Sequence, residues 1–386
     1  FFAEYGLKLL DNHNFKTTLG TTVYKEYGNG LFATGYDVPN NSWHNADISL
    51  AIGTSPNGGR DVGSYAYDER RLSYFGRLEY DYAQKYLLSL AVRRDASTKF
   101  GPDNRVGIFP SLTAGWKISD EQFFPKTNSF NFLKLRASYG ENGNVGGIGA
   151  YQLQGSYGSG KYDGIVGFQL NGLPFPDLLW ERSATFEFGV ETRLFNRLDL
   201  TLAYYNRQTK DKISSFSLPA TSGITSITTN LGNMQNKGLE AELNYKVIKN
   251  TNFSLDVSAN AAYNTNKILK LPSNGLENNR VGGSQVYDKD GNLIWVGGLQ
   301  EGQDPNSAYA YVAQGIIRTQ AELDAYALTL RDLIGARVLV HPNVFNAMTP
   351  AQKALHFPIA LGDVMWKDVN KDGVINIHMS YRVVCC

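Results

Sequence analysis

Oxygen-bearing side chains recur at alternate positions in Asp368-Val-Asn370-Lys-Asp372-Gly373-Val-Ile375. A calcium loop carries such groups at positions 1, 3 and 5, a glycine at 6 for the sharp turn, and an apolar residue at 8. Met379 stands where the closing bidentate glutamate belongs. The pattern predicts a Ca²⁺ site on Asp368, Asn370 and Asp372, with an acidic turn free of metal as the alternative. Glu187, Glu191, Glu240 and Glu242 offer carboxylate pairs of the kind glycoside hydrolysis uses. All four fall on the polar parity of alternating stretches, so a wet sheet face accounts for them without catalysis. Gly155-x-x-x-x-Gly160-Lys161 mimics a phosphate-binding loop, but Tyr162 replaces the Ser or Thr that Mg²⁺ requires. It reads as a glycine-rich loop. Tyr151, Tyr157, Tyr162, Phe168 and Phe175 are placed to stack on sugar rings or to pack at loop tips. The five histidines (13, 44, 341, 356 and 378) lack metal-ligand spacing and read as surface or loop residues.

The elements that position these groups are strands. Between Ser73 and Trp116, Tyr74, Leu78, Tyr80 and Tyr82 share one parity, while Arg77, Glu79 and Asp81 share the other. After a turn at Ala83–Lys85 the pattern resumes with Leu88, Leu90 and Val92 against Ser89 and Arg93. A period of two means strand. The same alternation runs through Leu133–Tyr139, Phe186–Glu191, Leu198–Tyr204, Leu239–Tyr245 and Phe253–Ala261. This gives about ten strands of roughly 9–12 residues, the length that crosses a bilayer when tilted. Short turns fall at 11–14, 83–85, 195–197 and 248–252. Long loops fall at 25–70, 140–182 and 207–236, and a shorter one at Ala96–Gly107 shares their end. Such asymmetry suits an outer-membrane barrel better than a Greek-key sandwich. Beyond about Lys270 the alternation stops. Thr319-x-x-Glu322 then signals a capped helix carrying Leu323, Tyr326 and Leu330, and Thr349-Pro350-Ala351-Gln352 signals a second.

Composition narrows the field further. Of 386 residues, 37 are Lys or Arg and 36 Asp or Glu, and a net charge of +1 leaves no basic footprint for nucleic acid. No run approaches the apolar length of a membrane helix, which leaves membrane strands open. The only cysteines, Cys385 and Cys386, are adjacent and poorly placed to pair with each other. The opening FFAEYGLKLL carries no signal-peptide pattern, which suggests either a cytosolic protein or a start upstream of Phe1.

Longer stretches carry a resemblance. SYFGRLEYDYAQKYLLSLAVRRDASTKFG, FPSLTAGWKISDEQFF, LKLRASYGENGN and LLWERSATFEFGVE occur in order. They are followed by LPATSGITSITTNLGNMQNKGLEAELNY, EGQDPNSAYAYVAQGI and GDVMWKDVNKDGVIN. Together they resemble the SusC/RagA class of TonB-dependent outer-membrane transporters over about residues 70–376. The resemblance implies an all-β antiparallel transmembrane barrel of the 22-stranded, plugged kind, of which this chain supplies about ten strands. Residues 1–270 would be barrel strands and loops, and 271–362 a long extracellular loop region with short helices. Residues 363–376 would be the Asp-rich loop and 377–386 an off-pattern tail. A plug and a further half-barrel are expected outside the chain.

The family further implies a Gram-negative outer membrane and no covalent chemistry. It implies a SusD-like lipoprotein partner, the TonB–ExbB–ExbD energy-coupling complex, and oligosaccharides or peptides as cargo. No cofactor is required beyond the possible Ca²⁺, and the aromatics Tyr151, Tyr157, Tyr162 and Phe168 are the substrate-binding candidates. The alternative is a secreted or surface-attached soluble β-protein that binds glycans.

Overall fold

The computed structural model describes residues 1–37, 47–51, 60–125, 127, 129–162, 165–218, 221, 223–224, 226–230, 232–287, 292–305, 308–310, 312–326, 329–331, 338–354, 356–367, 374–375 and 381–383. Among these described residues, fourteen strands run in chain order to Lys270. They are β1 (Phe2–Leu9), β2 (His13–Gly35), β3 (Arg60–Tyr82), β4 (Tyr86–Ser97), β5 (Val106–Lys117), β6 (Phe130–Asn144) and β7 (Ser156–Tyr162). Then come β8 (Ile165–Gly172), β9 (Glu181–Leu194), β10 (Leu198–Lys210), β11 (Ile213–Ser217), β12 (Ser226–Asn230), β13 (Asn233–Lys249) and β14 (Ser254–Lys270). Ten of them form one open sheet in the order β1-β2-β3-β4-β5-β6-β9-β10-β13-β14. Its registered neighbours are antiparallel and adjacent in the chain apart from inserted hairpins. The expected ten-strand antiparallel arrangement is therefore present.

Register fixes the two faces. Leu78 opposes Leu90, and Leu90 opposes Leu112, which opposes Tyr139. This apolar set stays exposed, with Leu90 at 43 % and Val92 at 49 %. A face this apolar and this open to solvent is the mark of a surface meant for lipid. At the turn end of the same face the rings of His13, Tyr82, Tyr86, Trp116 and Phe123 run side by side, with successive centroids 4.8, 6.2, 6.3 and 6.4 Å apart. Such a row is the girdle that marks a bilayer interface. His13 belongs to it, so this histidine is a strand residue among aromatics and not a loop residue.

Three of the short turns use left-handed backbone without glycine, the first at Leu10 and Asp11 with φ of 49° and 53°. Ala83 and Gln84 have φ of 51° and 56°, and Phe195 and Asn196 have 54° and 56°. The amides of Lys85 and Arg197 close the second and third turns onto the carbonyls of Tyr82 and Leu194. This is the hairpin geometry whose twist matches the strands, at a cost of roughly 1–2 kcal/mol per non-glycine residue.

The expected loop at 25–70 is mostly strand. β2 and β3 each run 23 residues and pair from His13↔Tyr82 through Lys25↔Arg70 to Gly35↔Arg60. Since β4 leaves β3 at the Arg71↔Ser97 pair, the last eleven or so pairs form a two-stranded ribbon about 36 Å long beyond the sheet. The loops at 140–182 and 207–236 likewise each contain a hairpin, β7–β8 and β11–β12.

The chain divides into two compact units, residues 1–232 with 236–264 and residues 233–235 with 265–386. In the second, short strands pair 313–316 with 364–366. Helices α1 (Gln320–Ala325), α2 (Pro342–Ala347) and α3 (Pro350–Lys353) accompany them. Both anticipated capping boxes form, at Thr319/Glu322 and Thr349/Gln352. The first helix is shorter than expected: it ends at Ala325, and Leu330 lies in a strand. Ile317, Leu323, Tyr326 and Ile359 make a small dry core there.

Candidate functional site

The inner face of the sheet carries the charges that alternation placed there. Lys134 reaches Glu191 at 3.1 Å, Arg136 reaches the same carboxylate at 3.3 Å, and Arg136 also pairs with Glu187. Gly189 opposes Arg136 across the strands. A Cβ at Gly189 would lie 2.7 Å from the guanidinium Nε, so only glycine lets this side chain lie along the sheet. Glu187 and Glu191 are thus bound into a cationic ladder and are not a free acid/base pair. These pairs are partly solvated, worth roughly 0.2–1 kcal/mol each, and their main effect is to hold the polar face in register.

Toward the loop end the ladder gives way to a cavity of about 890 Å³ on the same face of β2 to β6. Tyr24, Arg71, Ser73, Arg93, Asp95 and Ser111 line its wall. The Arg71 guanidinium sits 4.2 Å from the centre of the Tyr24 ring, and Arg93 pairs with Asp95 at 2.8 Å while donating to the Ser73 hydroxyl. Phe109 and Trp180 supply an aromatic part of the boundary. They belong to a buried cluster with Phe100, Ile148 and Leu178, drawn from three loops and one strand end. Phe100 is 0 % exposed and stacks on Trp180 at 4.6 Å.

Polar clamps tie these loops together. Glu181 accepts from the Ile213 amide at 3.0 Å and from Asn144 at 3.2 Å. Asn230 accepts from the Leu179 amide and donates to the carbonyls of Leu179 and Asp211. Glu69, 8 % exposed, holds Lys99 at 3.1 Å and Arg71 at 3.3 Å. The result is a cavity with charged and hydroxylated walls and a rigid aromatic boundary.

The sequence-derived candidates separate. Tyr157 and Phe168 stand on the β7–β8 hairpin as diagonal neighbours on one face, 75 % and 81 % exposed. Tyr151 precedes a single 3-10 turn at Gln152–Gln154 and is exposed. Tyr162 ends β7, paired with Ile165. Phe175 packs against the Phe100–Trp180 cluster, so it serves the loop core and not a stacking surface. The Gly155–Lys161 stretch is mostly strand β7, not a phosphate-binding loop before a helix. Asp368, Asn370 and Asp372 lie outside the described residues, and among the described residues no cluster of three or more His, Cys, Asp or Glu is arranged to hold a metal. His341 caps α2, His356 bonds to the Gln352 carbonyl, and His44 and His378 also lie outside the described residues.

Sheet, girdle and inner ladder together define an outer-membrane β-barrel wall. The TonB dependent receptor-like, beta-barrel family matches residues 3–336, and the chain belongs to that family. It is 33 % identical over 268 residues to TonB-dependent receptor P3 of Formosa agariphila, covering 67 % of this chain and 26 % of that protein. It is 30 % identical over 324 residues to TonB-dependent receptor SusC of Bacteroides thetaiotaomicron, covering 80 % and 31 %. Among solved structures it resembles the RagAB peptide transporter, with TM-score 0.64, 26 % identity and coverage of 82 % of this chain and 33 % of that one. The chain therefore spans roughly a quarter to a third of the length of these relatives.

Proposed function

We propose that this chain is part of a transporter that imports oligosaccharides or peptides across the outer membrane, driven by TonB–ExbB–ExbD and assisted by a SusD-like lipoprotein. The observation that carries the reading is the inner-face cavity beneath interlocked outer loops, set on a sheet whose other face suits lipid. Membership of the receptor family and the likeness to SusC and to RagAB support it. The exposed rings of Tyr151, Tyr157 and Phe168, together with Tyr162 at the end of β7, are the first loop contacts for cargo. Residues 271–362 form an outer loop region, and the Asp368–Asn370–Asp372 loop binds Ca²⁺. Transport proceeds through a shift in conformational populations when cargo binds; no bond in the cargo is made or broken.

Import is tested in the parent bacterium with fluorescent oligosaccharide and peptide pools. Loss of this gene and loss of tonB are each expected to abolish uptake of the same cargo. Cargo whose uptake requires the gene but persists without tonB would refute the reading. Extraction adds a second check, because a barrel needs detergent and migrates faster unboiled, whereas a soluble glycan-binding protein does neither.

A further inference from the structure

The ribbon of β2 and β3 beyond Arg70 carries an unusual pairing on its inner face. Gly28 opposes Tyr67, Gly30 opposes Tyr65, and Gly63 opposes Phe32. In each pair the ring lies flat over the glycine: a Cβ there would come within 2.8, 2.6 and 2.3 Å of ring atoms. One ring face therefore rests on backbone and the other faces outward. Tyr65 and Phe32 are 58 % and 54 % exposed. The rings of Tyr65 and Tyr67 are 6.5 Å apart and only 16° from parallel, and Phe32 is the next diagonal neighbour. The Tyr67 hydroxyl donates to Glu26 at 3.1 Å, and Tyr24 donates to the same carboxylate. Below them Arg71 covers the Tyr24 ring, where the cavity begins. The nearly parallel rings of Tyr65 and Tyr67, with the exposed ring of Phe32 beyond them, thus lead down into a cavity walled by hydroxyls and charges.

We propose that Phe32, Tyr65 and Tyr67 form a binding site for consecutive pyranose rings of an oligosaccharide, which they deliver to the cavity below. This rests on the import reading and narrows its cargo to glycan. The C–H face of a pyranose is flat and apolar and stacks on an aromatic face, while its hydroxyls point sideways toward groups such as Glu26 and Ser73. Covering a glycine needs only bulk, which leucine or valine would supply; a row of face-open rings supplies stacking as well. An extended peptide is recognised mainly through backbone pairing along a strand edge, which leaves ring faces unused.

The test uses the full-length receptor in detergent and calorimetric titration with hexasaccharides of α-glucan, β-glucan, xylan, mannan and galacturonan, alongside a hexapeptide pool. Tyr65→Leu with Tyr67→Leu keeps the glycines covered but removes both stacking faces. It is expected to weaken glycan binding at least about tenfold, and Tyr65→Trp to preserve or tighten it. Folding of each variant is read from its unheated gel mobility. Unchanged glycan affinity in the double leucine variant overturns the proposal, as does a parent receptor that binds none of the five glycans. Ring-dependent binding of peptides alone would overturn it too, while TonB-dependent uptake of that pool would leave the import reading standing.

Discussion

The two units of this chain solve burial in opposite ways. In the second, apolar residues turn inward: Ile317 is 0 % and Ile359 1 % exposed, and Tyr326 closes the set. In the first, the longest apolar stripe turns outward, and the dry cluster of Phe100, Phe109 and Trp180 sits among the long loops instead of between layers. The second unit packs as a protein does in water. The first leaves its sheet to be packed by another phase, so its strands are held by ladder hydrogen bonds and register, and side-chain burial is spent on fixing loops.

The contrast is sharpest at the loop cluster. Phe100→Ala empties a fully buried site and is expected to cost about 3–5 kcal/mol locally. Amide exchange should accelerate at 97–105 and 175–180 while β9 and β10 stay protected; equal acceleration in those strands would show that cluster and sheet are one cooperative body. Next comes a pair of neighbours on β4. Leu90→Arg, on the outward stripe, is expected to destabilise the barrel in bilayers by about 2–4 kcal/mol, and Ser89→Arg, one residue away on the inner face, by less than about 1 kcal/mol. Equal costs in urea unfolding from vesicles would contradict the assignment of faces. In the second unit the Tyr326 hydroxyl accepts from the Trp366 amide at 2.7 Å and donates to the Trp366 carbonyl at 3.1 Å. Tyr326→Phe leaves that pairing incomplete and is expected to cost about 1–3 kcal/mol, without changing gel mobility of the barrel.

Much of the first unit is legible in sequence because period two survives wherever Leu, Val and Tyr alternate with Arg, Glu and Asp. It fails at 25–35 and 60–70, where Gly28, Asn29, Gly30 and Gly63 read as turn punctuation. Those glycines are strand residues whose missing side chains are replaced by Tyr67, Tyr65 and Phe32 from across the ladder, a compensation no local window contains. Trp180 and Phe100 are hidden for a related reason: they lie about 80 residues apart and meet only through the ladder that runs from β4 through β5 and β6 to β9. The inner charges were visible, but that Glu191 serves both Lys134 and Arg136 depends on register and on Gly189. Caps are the opposite case. Thr319 and Glu322 are three residues apart and need nothing from elsewhere in the chain.

That locality makes the cap the finest probe of the second unit. The amides of Arg318 and Thr319 donate to the Glu322 carboxylate, at 2.6 and 3.1 Å, and these bonds hold its pKa below the usual carboxylate value. A group whose folded pKa is depressed lends stability that is complete above its unfolded pKa and drains away as pH falls through the folded one. Glu322→Gln keeps an acceptor but loses the charge that favours a helix N-terminus. The parent is therefore expected to melt slightly higher than Glu322→Gln at pH 7, and the gap to close as the pH drops below the ordinary carboxylate range. Salt should narrow the gap at pH 7, because the carboxylate is exposed and screened. A gap that persists unchanged at low pH would mean that the side chain stabilises α1 by shape and neutral hydrogen bonding alone, and that charge plays no part in a unit otherwise held by its dry core.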